Sequence, residues 1–169
     1  MEDWSYEHLV RAVQNDMFSL VGECKYIFVK LPINDVPSTI FEVFYKLQLR
    51  GYIPIVREVE RNKIFRHNPT LLYKIVVRGA LAQIGASSLT GINGHVHRKF
   101  ALKLCKHNLV HLISIDTTKI EESFNTLQSA YKYLQKKTSA RHANYFRTNA
   151  KLIGGNTDFH ILSPIKFKK

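Results

Sequence analysis

The sequence predicts an α+β domain, an antiparallel β-sheet with helices packed on it in one compact unit. Three observations carry that expectation. At 169 residues with 45% hydrophobic side chains, the chain is long enough to bury a core without disulfides. No Gly/Ser/Pro-rich linker, repeat or low-complexity tract divides it. Strand-like and helix-like segments follow one another without regular alternation, and two of them flank a tight turn.

The elements are read in order. Leu9, Val10, Val13, Met17 and Phe18 share one helical face, which predicts a short amphipathic helix over 6–20. Lys25 to Leu31 alternates and is rich in β-formers, so it reads as a strand. Asp35-Val-Pro37-Ser38 is a helix-start signal, Ile40, Phe44 and Leu47 recur at helical spacing, and Gly51 is the stop. Ile53 to Val59 reads as a second strand. Asn68-Pro69 repeats the start signal, and Leu71 to Ile84, apolar nearly all round, reads as the most buried helix, ending at Gly85. Ala86 to Gly94 reads as a loop of small residues carrying Leu89 and Ile92. Lys99–Leu104 and Leu109–Ile115 alternate around Lys106-His107-Asn108 and predict a hairpin. Thr118 with Glu121 forms a capping box before Ile120, Phe124, Leu127, Tyr131 and Leu134, a strong amphipathic helix. A last extended stretch, Phe159 to Phe167, is expected to return to the sheet edge. Residues 1–24 are expected to form an N-terminal arm and 25–169 the globular domain.

Charge sets the expected partners. Twenty-five Lys+Arg against thirteen Asp+Glu give a net charge of +12, which attracts nucleic acid, anionic lipid or acidic protein. The candidate polyanion contacts are Lys132, Lys136, Lys137, Arg141, Arg147 and Lys151, with Lys166, Lys168 and Lys169 at the end. Tyr131, Tyr133, Tyr145 and Phe146 are interleaved and suit base stacking, although Tyr131, Tyr145 and Phe146 read first as core. Cys24 and Cys105 read as reduced, buried thiols in a reducing compartment. The acidic N-terminus argues against a signal peptide, and no apolar run approaches the roughly 20 residues of a membrane span, so any membrane contact is peripheral.

Catalytic constellations are sparse. His95-Val-His97 on a strand would share one face and hold a metal. With Tyr133-Leu-Gln-Lys136 it resembles the motif pair of rolling-circle nucleases. Cys105, His107 and His111 add metal-capable side chains but show no paired spacing of a structural zinc site, and His111 is expected on an exposed strand face. Glu58 and Glu60 share a strand face between Arg57 and Arg61 and read as surface ion pairs with them. Ser87-Ser88 lacks a nucleophile-elbow context, and Gly91 and Gly94 form no phosphate loop. No catalytic residue, metal or cofactor is therefore assigned.

From Phe100 to the end, the strand–turn–strand to Ile115, the helix after Asp116, the basic stretch, the Gly turn and the final Lys166-Phe-Lys168 give the chain a layout that resembles the rhabdovirus matrix proteins. Upstream, Tyr26–Leu31, the helix after Asp35, and Leu72-Tyr73-Lys74-Ile75 followed by Ser87-Ser88-Leu89 fit the same layout. The resemblance implies a non-enzymatic virion protein that self-associates, condenses the viral nucleocapsid and lines the inner face of the envelope, on host cytoplasmic or internal membranes. It assigns Leu89 and Ile92, which otherwise fold back under the sheet, to a membrane or self-association loop, and Trp4 and Tyr6 to a docking arm. A lysine-rich N-terminus and a Pro-Pro-x-Tyr motif are missing, which suits a plant-infecting member. The other readings are a monomeric nucleic-acid-binding module, for which RNA is a partner, and the rolling-circle-type nuclease.

Overall fold

The computed structural model describes residues 18–20, 25–115, 120–153 and 157–167. Its centre is a five-stranded sheet in the order β1 (Phe18–Leu20), β2 (Tyr26–Val29), β3 (Ile53–Val56), β4 (Leu81–Gly85) and β5 (Leu112–Ser114). Only β1 runs antiparallel to its neighbour; β2 through β5 are parallel. Helices make the crossovers: α1 (Ile40–Leu49) between β2 and β3, then α2 (Lys63–His67) and α3 (Pro69–Val77) before β4. After β4 come α4 (Ala86–Thr90) and α5 (His95–Lys106), and after β5 come α6 (Ile120–Lys137) and α7 (Ala140–Leu152). The architecture is a parallel α/β sheet with helices, not the antiparallel α+β sheet the pattern suggested.

Two misread segments account for the difference. The apolar run 71–84 contains both a helix and a strand, separated at Gly79, whose φ of +92° is left-handed and glycine-permissive. All five residues of β4 are buried, so the strand shows a continuous apolar run rather than alternation, as parallel strands covered on both faces do. The expected hairpin is instead α5 followed by β5. Phe100, Ala101, Leu104 and Cys105 are the buried residues of α5, a one-sided helical stripe that the alternation of Phe100, Leu102 and Leu104 mimics over a short window.

Several expectations hold. β2, α1, β3 and α6 lie where the pattern places them, and α1 buries Ile40, Val43, Phe44 and Leu47. Residues 140–152, assigned no element from sequence, form α7, which buries Ala143 and Asn149 together with Tyr145 and Phe146, the two read first as core, and is capped by Ser139, whose Oγ accepts from the His142 amide at 3.1 Å. The stretch 159–167 joins no strand; it is tied down by Ile165 N–H to His107 O at 2.8 Å and Asn108 Nδ2 to Ser163 O at 2.9 Å. The expected helix over 6–20 lies mostly outside the described residues, and residues 18–20 are β1.

The core has two parts, one on each face of the sheet. Ile27, Val29, Val56, Ala82, Ile84 and Ile113 pack with buried residues of the helices, Phe65, Leu72, Leu104 and Phe146 among them. Tyr26, Ile55, Leu81, Leu112 and Phe159 form the smaller second face, where Tyr26 stacks on Phe159 with ring centroids 4.6 Å apart. Emptying a site such as Phe65, which is 0% exposed, costs about 3–5 kcal/mol. With the sheet pinned on both faces, the loops leaving its carboxyl edge are held in place.

Candidate functional site

In parallel α/β sheets, functional groups gather where strands end at their carboxyl edge. Here β3 leaves the sheet after Val56 into Arg57-Glu-Val-Glu-Arg-Asn62, and two bonds keep this segment registered. Arg57 N–H donates to Val29 O at 2.9 Å, and Val59 N–H donates to Gln83 O at 3.2 Å. Glu58 takes a left-handed φ of +50°, uncommon for a side-chain-bearing residue, which turns the chain so that Glu60 points inward.

Glu60 is fully buried. Its Oε1 accepts from Ser88 Oγ at 2.6 Å and from the Gly85 amide at 3.0 Å, while Oε2 has no partner among the described residues. Burial pushes its carboxyl up to about 7, against the opposing pull of the Ser88 and Gly85 hydrogen bonds. A relay continues outward. Asn93 Nδ2 donates to Ser88 Oγ at 3.2 Å, and His97 Nδ1 meets Asn93 O at 2.8 Å. A carbonyl only accepts, so His97 carries its proton on Nδ1, and Nε2 accepts from Arg66 Nη1 at 3.0 Å.

Asn62 closes the other side. Its Nδ2 donates to Pro32 O at 2.8 Å and Asp35 O at 3.0 Å, and its Oδ1 caps α2 through the Phe65 amide at 3.0 Å. These bonds hold the β2–α1 loop over the β3 exit and define a cleft of about 110 Å³. Lys30, Arg57 and Arg61 line it, with Glu58 the only carboxylate and Leu31, Ile33 and Phe65 as apolar wall. Arg61 pairs with Glu58 at 2.8 Å. A larger cleft of about 380 Å³ lies between α7 and the C-terminal segment. Arg141 is its one permanently charged lining residue, so chemistry favours the smaller site over the roomier one.

The residues singled out from sequence lie elsewhere. Leu89 is 0% exposed in α4, part of the core, while Ile92 is 70% exposed. Trp4, Tyr6, Lys168 and Lys169 lie outside the described residues. Lys132, Lys136, Lys137, Arg141, Lys151 and Lys166 are exposed, Arg147 covers the Tyr131 ring at 4.7 Å, and none of them lines the strand-end cleft. His95 and His97 are on a helix, where residues two apart diverge by roughly 200°, and both nitrogens of His97 are engaged. Tyr133 sits under the Arg98 guanidinium at 4.2 Å. His111 is buried rather than exposed; its Nδ1 accepts from the Ala82 amide at 3.1 Å, and burial lowers its pKa to about 4. The Cys105 thiol is buried and pushed up by desolvation. Glu58–Arg61 is the ion pair the sequence suggested, but Glu60 is interior. The signal that could have found the site is a charged run, Arg57 to Asn62, directly after a buried strand.

Comparison with known proteins identifies the family. The family described as capsular polysaccharide synthesis, CpsB/CapC, matches residues 2–153, and the chain belongs to it. The tyrosine-protein phosphatase YwqE of Bacillus subtilis (strain 168) is 37% identical over 150 residues, 88% of this chain and 59% of YwqE. CapC of Staphylococcus aureus, to which the same activity is provisionally assigned, is 33% identical over 147 residues, 87% of this chain and 58% of CapC. The chain thus spans about three-fifths of these relatives' length. A solved chain from the crystal structures of YwqE and of CpsB from Streptococcus pneumoniae, described as unique metal-dependent tyrosine phosphatases, superposes with a TM-score of 0.86 at 34% identity. That superposition covers 98% of this chain and 67% of the other.

These findings overturn the rhabdovirus matrix resemblance. The relatives are bacterial proteins, so the virion and envelope location, the nucleocapsid, membrane and self-association partners, and the matrix roles of Leu89, Ile92, Trp4 and Tyr6 lose their basis. The nucleic-acid-module and rolling-circle readings match none of them. The non-enzymatic reading falls as well, because the relatives carry the name of an enzyme. Among the described residues, however, no three His, Cys, Asp or Glu side chains come together as metal ligands. Glu58 is held by Arg61 and Glu60 Oε1 by Ser88 and Gly85, and Glu60 Oε2, unpartnered among the described residues, has no cluster of further ligands beside it there, so these residues do not make up a metal centre.

Proposed function

We propose that this chain is a phosphotyrosine-protein phosphatase domain acting in capsular polysaccharide synthesis, with the strand-end cleft seating the phosphoryl group. One observation carries the reading: Lys30, Arg57 and Arg61 converge at the carboxyl edge of the parallel sheet against a single carboxylate. A phosphoryl dianion is the ligand such a site neutralises, and the arginine forks offer it paired N–H donors. Ile33, 53% exposed at the mouth of the cleft, gives an aryl ring an apolar contact that a phosphoserine methylene cannot use.

The chain's own residues bind and orient. Arg57 and Arg61 neutralise the phosphoryl oxygens, where charge builds during transfer. Glu60 is a positioning residue. It ties the β3 exit to the start of α4, and so fixes the backbone that carries Arg57 and Arg61.

Calorimetric titration of O-phosphotyrosine tests the seat. Arg57→Ala should weaken binding about 10- to 100-fold, the worth of a charge-assisted hydrogen bond, and Arg61→Ala should weaken it as well. Equal affinity of wild type and both variants, with unchanged circular dichroism, would contradict the assignment.

A further inference from the structure

We propose that the α5 groove docks the acidic flank of a polypeptide substrate while its phosphotyrosine occupies the strand-end cleft. The inference rests on the phosphotyrosine reading above and adds what surrounds the phosphotyrosine.

The groove, about 370 Å³, is lined by Arg66, His95, Val96, Lys99, Phe100 and Lys103. Helix α5 has the sequence HVHRKFALKLCK, with no Asp or Glu in its 12 residues. His95, Lys99 and Lys103 recur at i, i+4 and i+8, so they form one row along the helix. Ion pairs join Lys25 to Asp158, Lys46 to Glu42 and Arg61 to Glu58. None of these involves Arg66, Lys99 or Lys103: Arg66 donates to His97 and Lys103 lies 4.8 Å from the Phe167 ring, contacts that leave their positive charge unneutralised and able to attract an anion. The exposed apolar surface is aliphatic, since Val96 is 62% exposed whereas the aromatic Phe100 is only 8% exposed. Glutamate and aspartate stems pack on such a surface. Nucleobases require an open aromatic face, which Phe100 does not present.

The groove adjoins the phosphoryl cleft. Helix α2 is their common wall, since Phe65 lines the cleft and the next residue, Arg66, lines the groove. Arg66 also reaches His97 at 3.0 Å, and so ties α2 to the start of α5. A helix is roughly 10–12 Å across, which an extended peptide spans in about three or four residues. Acidic residues at that separation from the phosphotyrosine reach the row.

Fluorescence anisotropy tests this with peptides of one phosphotyrosine flanked on both sides, three to six residues away, by either Glu or Gln. Wild type should bind the Glu-flanked peptide about tenfold more tightly at low salt, a preference that fades as salt rises. The Lys99→Ala/Lys103→Ala variant should lower the Glu-flanked affinity to that of the Gln-flanked peptide. No preference in wild type, or a preference that survives the double substitution, would overturn the proposal. So would a single-stranded oligonucleotide of equal charge that outcompetes the Glu-flanked peptide and depends on the same two lysines. The two readings fail separately. If phosphorylation contributes nothing to either peptide, the phosphotyrosine cleft is wrong, and the docking proposal falls with it. If phosphorylation matters and flank charge does not, only the docking proposal falls.

Discussion

Ser88 donates a 2.6 Å hydrogen bond to Oε1 of Glu60, joining the first helix after β4 to the loop that leaves β3. The bond is fully buried and has a sequence separation of 28. It couples the two neighbouring strands at the edge where Arg57 and Arg61 emerge. Buried polar pairs of this kind are costly to break, because the group left behind has no water to turn to.

Ser88→Ala should therefore destabilise the fold by about 1–3 kcal/mol, since Glu60 Oε1 would keep only the Gly85 amide. Urea unfolding monitored by circular dichroism measures it. A change below about 0.5 kcal/mol would show that the bond contributes little.

Glu60 and His111 set opposing pH dependences. A carboxyl raised from 4.5 to about 7 favours the fold fully below pH 4.5, and that contribution is lost as pH rises towards 7. An imidazole lowered from 6.5 to about 4 by burial favours the fold above pH 6.5, and that contribution is lost as pH falls towards 4. Between about pH 4.5 and 6.5 the two slopes, each about 1.4 kcal/mol per pH unit at most, offset one another. Glu60→Gln keeps an acceptor for Ser88 and Gly85 but removes the titration. Its stability should fall steeply with acid in that window, where the wild type stays flat. Parallel melting curves for the two proteins from pH 4.5 to 6.5 would contradict this.

Glu58 competes with any incoming anion for Arg61. Glu58→Gln should tighten phosphotyrosine binding by up to about fivefold, the worth of a partly exposed ion pair. Weaker binding in this variant would mean that the pair holds Arg61 in its productive position instead.

Gly79 makes the turn between α3 and β4 at φ +92°, and a Cβ built there would lie 2.9 Å from Gln48 Nε2, which donates to Arg78 O. Gly79→Ala should cost about 1–2 kcal/mol from the left-handed backbone and the displaced side chain. Thermal unfolding should show the loss; an unchanged midpoint would contradict the strain argument.

Much of the fold's first half was legible because its helices are amphipathic and its punctuation is conventional. Gly51, Asn68 and Pro69 mark real boundaries, while the start signal at Asp35–Pro37 lies just before the helix, whose N-cap is Thr39. The sheet's direction was not legible. β4 is buried on every residue and so reads like the helix before it, while α5 carries an alternation that imitates a strand. Once those two are misread, the crossovers that make β2 to β5 parallel disappear, and the strand-end site goes with them. Glu60 shows the same limit locally: flanked by charge in sequence, it reads as surface, and only the turn at Glu58 sends it inward. The net charge of +12 raised the expectation of an anionic ligand without saying which part of the surface would bind it.

The most direct test of the central claim is release of inorganic phosphate from a phosphotyrosyl peptide. Release is followed with and without added divalent cation, since the solved relatives are described as metal-dependent while the described residues form no metal centre. Steady release from the phosphotyrosyl peptide, much slower release from its phosphoseryl counterpart, and loss of at least about tenfold in Arg57→Ala are predicted. No release by folded wild-type protein, or equal release by Arg57→Ala, would contradict the account.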